Sequence, residues 1–116
     1  DVPRFSWEGD KVHRFEVVQC YDTPLMGGCS CPGFLAWGLG AGESERLHEV
    51  ALEAPFIASP LEYGVAPASD RKGYAARPLE AGQLYLVSAV RVGPCEDNFA
   101  DCQQVIARGC QSFKQP

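Results

Sequence analysis

Six cysteines carry the clearest chemical information in this chain of 116 residues. In an oxidising compartment, paired cysteines form disulfides that persist and that supplement the limited core of a short domain. The cysteines are Cys20, Cys29, Cys31, Cys95, Cys102 and Cys110. We therefore predict a disulfide-stapled protein with an extracytoplasmic location, whether periplasmic, secreted or lipid-anchored to an envelope.

The cysteines form two groups of three, which 63 cysteine-free residues separate. Because each group holds an odd number, pairing all six requires at least one bridge between the early and late parts of the chain. In the chain-entropy account, so long a loop contributes about 4 kcal/mol of stability. Cys29 and Cys31 cannot pair with each other, because a ring across one intervening residue is badly strained. Cys95 and Cys102 flank the polar segment 96–101, and we predict that they staple its base.

The thiols have a rival use in metal binding. Segment 26–31 contains a methionine and two cysteines, and His13 lies nearby in sequence, a set that would suit a soft ion such as Cu(I). The chain lacks the Cys-x-x-Cys or His-x-x-x-His spacing that is typical of a zinc site. We accordingly predict no metal and no cofactor.

Residues suited to catalysis are few. The sequence contains no Gly-x-Ser-x-Gly elbow, phosphate-binding glycine loop or His-Glu-x-x-His motif. Histidine is the side chain that titrates near neutral pH, and the chain has only His13 and His48. Each falls on a predicted strand or helix, where we expect an exposed structural side chain. The sequence therefore predicts a protein that is not an enzyme.

The charge balance constrains the partners. Fifteen acidic and ten basic residues give a formal net charge of −5 at pH 7. This charge opposes binding to nucleic acid, which depends on Lys and Arg releasing counterions from phosphates. An acidic surface would instead speed encounter with a cationic protein. The most apolar run, 33–40, is far shorter than the roughly 20 residues of a membrane-spanning helix, so we predict no transmembrane segment.

Strand-like patterns dominate the elements that must position these residues. Segments rich in β-branched and aromatic residues predict strands at 11–21, 34–39, 83–92 and 103–107. Prolines and glycines predict that 22–33 is a loop held by cysteines. Short strands separated by turn signals are typical of a sandwich or barrel. The length and the absence of a linker predict a single domain that covers the whole chain.

Residues 44–54 fit two structures. Ser44 would cap a helix whose apolar residues recur at helical spacing, and intrinsic propensity favours that structure. The stretch nevertheless ends at Pro55 and lies among strand-like runs with regular turn signals. We favour a strand here, with one short helix as the alternative.

Two further segments resemble a known pattern. Tyr63–Pro67, followed by Pro78–Val87, is similar to small, mostly uncharacterised bacterial envelope proteins and lipoproteins that have immunoglobulin-like sandwiches. The resemblance covers roughly a quarter of the chain and consists of turn and strand residues, so it implies a fold and no particular function. With this resemblance, the expected fold is an all-β, disulfide-stapled, immunoglobulin-like β-sandwich.

Compartment, size and charge together predict a non-enzymatic binding module. Its most concrete form is an inhibitor or immunity-like protein for a cationic secreted hydrolase, with acidic residues that steer the encounter. Trp37 lies among apolar residues and is expected in the core, whereas Trp7 is expected to be exposed enough to anchor a partner. The predicted partner-binding residues are Trp7, Glu43, Glu45, Glu49, Glu53, Asp97 and Asp101.

Two other classes of function remain as alternatives. One is a structural or assembly component of a bacterial envelope or secretion machine, for which an exposed hydrophobic strand edge would be the distinguishing observation. The other is a soft-metal or thiol-redox protein, for which reactive thiols would be the distinguishing observation.

Overall fold

The computed structural model describes residues 2–22, 28–40, 55–67, 75–94 and 103–116. All regular secondary structure within these ranges is β, which confirms the predicted all-β class. The strands are β1 (Arg4–Phe5), β2 (Arg14–Cys20), β3 (Gly33–Leu39), β4 (Leu61–Glu62), β5 (Leu84–Pro94) and β6 (Gln103–Lys114). Segment 44–54, for which we weighed a strand against a helix, lies outside the described residues.

The strands form two sheets. The larger is antiparallel in the order β3-β2-β5-β6, and the smaller pairs β1 with β4. Strand β2 lies at the centre, where Val17 is the register partner of Trp37 on β3 and of Val87 on β5. The residue types of these strands favour sheet formation, because β-branched and aromatic side chains pack well on a pleated, half-buried surface.

The core lies on the inner face of the large sheet, the face that carries Phe15 and Val17. Alternation along β2 directs these two side chains to the same face, and both are fully buried. Trp37 meets Phe15 edge to face at 5.8 Å between ring centroids, and Tyr63 meets Trp37 at 5.2 Å. The buried core cluster comprises Val12, Phe15, Val17, Ala36, Trp37, Leu39, Ile57, Leu61, Tyr63 and Tyr85. The prediction that Trp37 is a core residue is therefore confirmed.

Strand β6 is longer than the sequence pattern predicts. We expected it to end at residue 107, but it continues to Lys114 and pairs with β5 from Leu84↔Lys114 to Pro94↔Gln103. Arg108 and Gly109 interrupt the apolar alternation that marks a strand in sequence. Backbone pairing along the 11 residues of β5 maintains the strand despite that interruption.

Two disulfides attach the β2–β3 connection to the sheet. Cys20, the last residue of β2, bonds to Cys31 in the connection, and Cys29 in the connection bonds to Cys110 on β6, 81 residues later. The second bridge confirms the parity prediction that an early cysteine joins a late one. Because β2 and β5 lie between β3 and β6, this bridge ties one side of the sheet to the other.

Strand β3 requires glycine at both ends. A Cβ atom on Gly33 would lie 2.0 Å from the carbonyl oxygen of Gln19, and one on Gly40 would lie 2.2 Å from that of His13. Gly40 also has a φ of +89°, a conformation that other residues rarely adopt. The close approach of β2 and β3 therefore depends on glycine, which has no side chain, at these two positions.

The hydroxyl of Tyr63 holds a segment of chain against β3. It lies 2.6 Å from the carbonyl oxygen of Arg77 and 3.3 Å from that of Ala36, to which the Arg77 N–H also donates at 2.9 Å. Burial, with a smaller contribution from Tyr85, raises the pKa of Tyr63 to about 12. The neutral hydroxyl is thus the form that the folded protein stabilises.

We expect Tyr63→Phe to lower the free energy of unfolding by about 1–2 kcal/mol at neutral pH, since the Arg77 carbonyl loses its hydroxyl partner. Because the folded-state pKa lies above the ordinary value of 10, the wild-type protein should also lose stability as the pH rises from 10 towards 12. The variant should lack that part of the loss. Urea unfolding at neutral and alkaline pH measures both effects, with the exposed Tyr21→Phe as control. An equal alkaline loss in Tyr63→Phe would contradict this role.

Cys95 and Cys102 lie outside the described residues, and their pairing remains a prediction. The other four cysteines are paired, so within one chain these two have only each other as partners. The register that pairs Pro94 with Gln103 also predicts 95 and 102 as the next opposed positions. Peptide mapping of the unreduced protein should recover a Cys95–Cys102 linkage. Two free thiols in the denatured protein would show this prediction to be wrong.

Candidate functional site

A groove of about 600 Å³ opens on the inner face of the large sheet, beside β6. One wall is the N-terminal segment that contains β1, and the floor is formed by β5 and β6. The lining residues are Pro3, Arg4, Phe5, Ser6, Trp7, Phe15, Val87, Ala89, Gly109, Cys110, Gln111 and Phe113. Its volume lies within the range of roughly 300–1,000 Å³ that is usual for binding pockets.

Small residues on adjacent strands create the depth of the groove. Phe15, Ala89 and Gly109 are successive register partners across β2, β5 and β6, so their side-chain positions share the inner face. A Cβ atom built on Gly109 would have no neighbouring atom within 4 Å. The floor is therefore open at the position where β6 would otherwise present a side chain.

Aromatic rings form the walls. Phe5 lies 5.4 Å from Phe15 and 5.8 Å from Phe113, and Trp7 lies 5.8 Å from Phe15, measured between ring centroids. Phe113 stacks on the buried ring of Tyr85 at 5.4 Å. Aromatic side chains offer a large apolar contact area in defined geometry. This groove is thus suited to apolar side chains of a ligand or partner.

Backbone contacts hold the N-terminal wall in place. The Tyr63 N–H donates to the Pro3 carbonyl at 2.9 Å, and the Trp7 N–H donates to the Ser59 hydroxyl oxygen at 3.0 Å. Between these contacts, β1 pairs with β4 through Arg4↔Glu62 and Phe5↔Leu61. The wall is therefore held by the second sheet as well as by the ring contacts of Phe5 and Trp7.

Arg91 fixes the turn that follows this wall. Its guanidinium donates to the carbonyl oxygens of Asp10 at 2.7 Å and of Lys11 at 3.1 Å. The indole N–H of Trp7 donates to the same Asp10 oxygen at 3.3 Å. Arg91 therefore positions the Trp7 ring indirectly, through the backbone that the ring contacts.

Strand β6 ends the large sheet, and within the described residues no strand pairs with its outer edge. Its side chains from 106 to 112 are exposed, and Ile106 is 54% exposed. In an edge strand, alternate backbone N–H and C=O groups point away from the sheet and are available to another strand. The groove consequently lies next to an edge that can accept hydrogen bonds and donate them.

The groove lining and strand β6 carry basic side chains and no acidic ones. Arg4 is the only ionised side chain in its lining, and it lies 3.9 Å from Glu62. Strand β6 carries Arg108 and Lys114 and no acidic residue. Nine of the 15 acidic residues of the chain lie outside the described ranges, whereas seven of the ten basic residues lie within them. The described surface is therefore not the source of the net negative charge.

Of the seven residues predicted to bind a partner, the structure describes only Trp7. Trp7 lines the groove and is half-buried. The six acidic candidates, Glu43, Glu45, Glu49, Glu53, Asp97 and Asp101, lie outside the described residues. No predicted strand pointed to three further lining residues, Phe5, Gly109 and Phe113. Extending the alternation of the last strand beyond residue 107 would have placed 109, 111 and 113 on one face.

The expectation that His13 is exposed is wrong. The side chain is 7% exposed, and its Nδ1 atom accepts a hydrogen bond of 3.2 Å from the buried backbone N–H of Val92. This N–H lies at the register shift between Arg91 and Val92, where the strand ladder is interrupted. His13 therefore satisfies a polar group in the sheet. His48 lies outside the described residues.

The lining of the groove is mostly apolar and aromatic. Its lining contains no histidine and no carboxylate, and Cys110 is in a disulfide. In the described part of the chain, no three His, Cys, Asp or Glu side chains are grouped to hold a metal ion, and no helix is long and apolar enough to cross a membrane.

Comparison of the chain with protein-family models, curated proteins and solved structures finds no match.

We expect Arg91→Lys to loosen Trp7 without unfolding the protein, because a single ammonium cannot reproduce the guanidinium contacts to two carbonyl oxygens. Fluorine NMR of the fluorotryptophan-labelled protein separates the two tryptophans. The Trp7 resonance should shift and broaden, while that of Trp37, 2% exposed in the core, should stay in place. Arg77→Lys, which changes an arginine stacked on Phe34, is the matched control. An unchanged Trp7 resonance in Arg91→Lys would refute the positioning role.

Proposed function

We propose that this protein is a non-enzymatic binding module that holds an apolar part of a protein partner in the groove. The observation that carries the proposal is the aromatic groove of about 600 Å³ beside an exposed edge strand. Aromatic side chains are enriched in the buried centres of protein interfaces, and this groove presents one tryptophan and three phenylalanines. The lining has no catalytic pair that would favour an enzyme over a binding protein.

The location that we propose is extracytoplasmic, in the periplasm, in secreted form or held to an envelope by a lipid. Four cysteines in two disulfides are consistent with an oxidising compartment. A disulfide that closes a loop of 81 residues would be at risk of reduction in a cytosol that keeps thiols reduced. The immunoglobulin-like relationship suggested by Tyr63–Pro67 and Pro78–Val87 belongs to the same proposal.

The most concrete partner that we propose is a cationic secreted hydrolase, which the protein would inhibit or confer immunity against. The support is the net charge of −5 and its concentration in segments 43–53 and 96–101. Charged segments of this kind mainly raise the rate of association and depend on ionic strength. In this form of the proposal, the acidic segments steer the encounter and the groove supplies the apolar contact.

We expect binding to a basic, lysozyme-type hydrolase at low ionic strength, with weakening as salt is added, because the Debye length falls from about 30 Å at 0.01 M to about 8 Å at 0.15 M. Neutralising the acidic candidates should lower the association rate about tenfold or more at low salt. The substitutions are Glu43→Gln, Glu45→Gln, Glu49→Gln, Glu53→Gln, Asp97→Asn and Asp101→Asn. Surface plasmon resonance and a hydrolysis assay measure the two effects.

The matched control for this experiment removes charge elsewhere. Glu8→Gln and Glu62→Gln each lose one negative charge outside the two acidic segments and should leave the association rate nearly unchanged. If the wild-type protein has no affinity for basic hydrolases at low salt, the inhibitor form of the proposal fails. Equal losses in the control and the neutralised variants would show that net charge, and not these segments, is responsible.

A second candidate function is a structural or assembly component of an envelope or secretion machine. The observation in its favour is the exposed outer edge of β6, together with the exposed Ile106. Exposed strand edges are used for assembly by strand addition. We do not propose the soft-metal or thiol-redox alternative, since the four cysteines in the described ranges are bonded to one another.

A further inference from the structure

We infer that the partner contributes an extended segment that adds to β6 as a further strand, with apolar side chains in the groove and acidic side chains on the other face. This inference rests on the proposed function and specifies how the groove is used. It identifies the partner by an alternating apolar and acidic pattern. The protein would then recognise both the backbone and the side chains of that segment.

The backbone of β6 has an unpaired edge within the described residues. The strand has 12 residues, and its side chains from 106 to 112 are exposed on both faces. Pairing with β5 uses the hydrogen-bonding groups of alternate residues, so the remaining ones point to the free edge. An added strand would satisfy these groups at a spacing of about 4.8 Å from β6.

The groove lies on the inner face of β6, beside the free edge. Residues 109, 111 and 113 alternate onto the inner face, where all three line the groove. The open space at Gly109 can admit a side chain from a neighbouring strand, because that strand's residues lie within about 5 Å across the pair. The rings of Phe5 and Phe113 then bound this side chain.

The charged side chains of β6 are all basic, which selects the sign of the partner segment. By alternation, Arg108 and Lys114 lie on the face opposite the groove, six residues apart, which corresponds to about 20 Å along the strand. No acidic residue of β6 neutralises them. Opposite charges on adjacent strands stabilise the pair, so acidic residues are favoured on that face of the added segment.

The same charges disfavour a second copy of this chain as the occupant. An antiparallel pair of β6 strands centred near Gly109 would bring the two Arg108 side chains close together on one face. A parallel pair would place each basic residue beside its own copy. Like charges on adjacent strands destabilise the pair, so self-association at this edge would be weak.

The test uses three synthetic peptides of about ten residues, a length that spans most of β6, in which valine alternates with glutamate, lysine or serine. Each is titrated into the intact, unreduced protein at low salt. Hydrogen exchange followed by NMR reports on the amides of β6, and the fluorine resonance of fluorotryptophan at Trp7 reports on the groove. We expect the glutamate peptide to protect alternate β6 amides, to shift the Trp7 resonance and to bind about tenfold more tightly than the lysine peptide.

Two variants separate the groove from the charges. Gly109→Phe fills the open floor and should abolish binding with an unchanged melting temperature, since phenylalanine is also the better strand former. Ser112→Phe places the same ring on the opposite face of β6 and is its matched control. The double substitution Arg108→Glu and Lys114→Glu changes only exposed side chains and should reverse the preference towards the lysine peptide.

The remaining outcomes overturn the inference in distinguishable ways. A shift at Trp7 without protection of β6 amides would show that the groove binds apolar groups but adds no strand, so the proposed function would survive and this inference would fail. No shift with any peptide would remove the support for both. Protection of β6 amides without peptide, together with a doubled mass in sedimentation, would make the edge a contact between two copies.

Discussion

The bond between Cys29 and Cys110 is the constraint on which the arrangement of this protein depends. It closes 81 residues of chain and in the chain-entropy account contributes about 4 kcal/mol, a large fraction of the stability of a small domain. It also links the connection after β2 to the last strand. The covalent loop from Cys29 to Cys110 contains β3, β5 and most of β6, whereas β2 precedes it. The bridge retains β6 at the edge of the sheet although its exposed side chains contribute little to the core.

This covalent attachment explains how the protein can leave part of its inner face open. The aromatic cluster around Phe15, Trp37 and Tyr63 fills one region of that face, and the small β1–β4 sheet covers it. Beside β6, Ala89 and Gly109 leave a depression rather than a packed core. Without the bridge, an exposed edge strand and an incompletely filled core would lower the stability of a domain of this size, because such a domain buries little apolar area.

Charge is distributed unevenly between the binding features. The groove and β6 carry Arg4, Arg108 and Lys114, whereas seven of the 15 acidic residues lie in segments 43–53 and 96–101. The two regions therefore favour partners of opposite sign. A cationic enzyme suits the acidic segments, and an acidic extended segment suits β6. Under the two proposals above, the partner would present both charges: basic groups for the acidic segments and an acidic extended segment for β6.

Local pattern in the sequence determined the all-β class, the positions of β2, β3 and β5, and the burial of Trp37, since alternation and residue type report which face of a strand is covered. Cysteine parity likewise required one bridge between distant parts of the chain. Only the tertiary structure decided that Cys29 meets Cys110, that His13 is buried against Val92, and that Phe5, Trp7, Phe15 and Phe113 surround one groove. The physical reason is that a groove combines residues from segments far apart in sequence. Their proximity depends on strand order and register, which no local pattern contains.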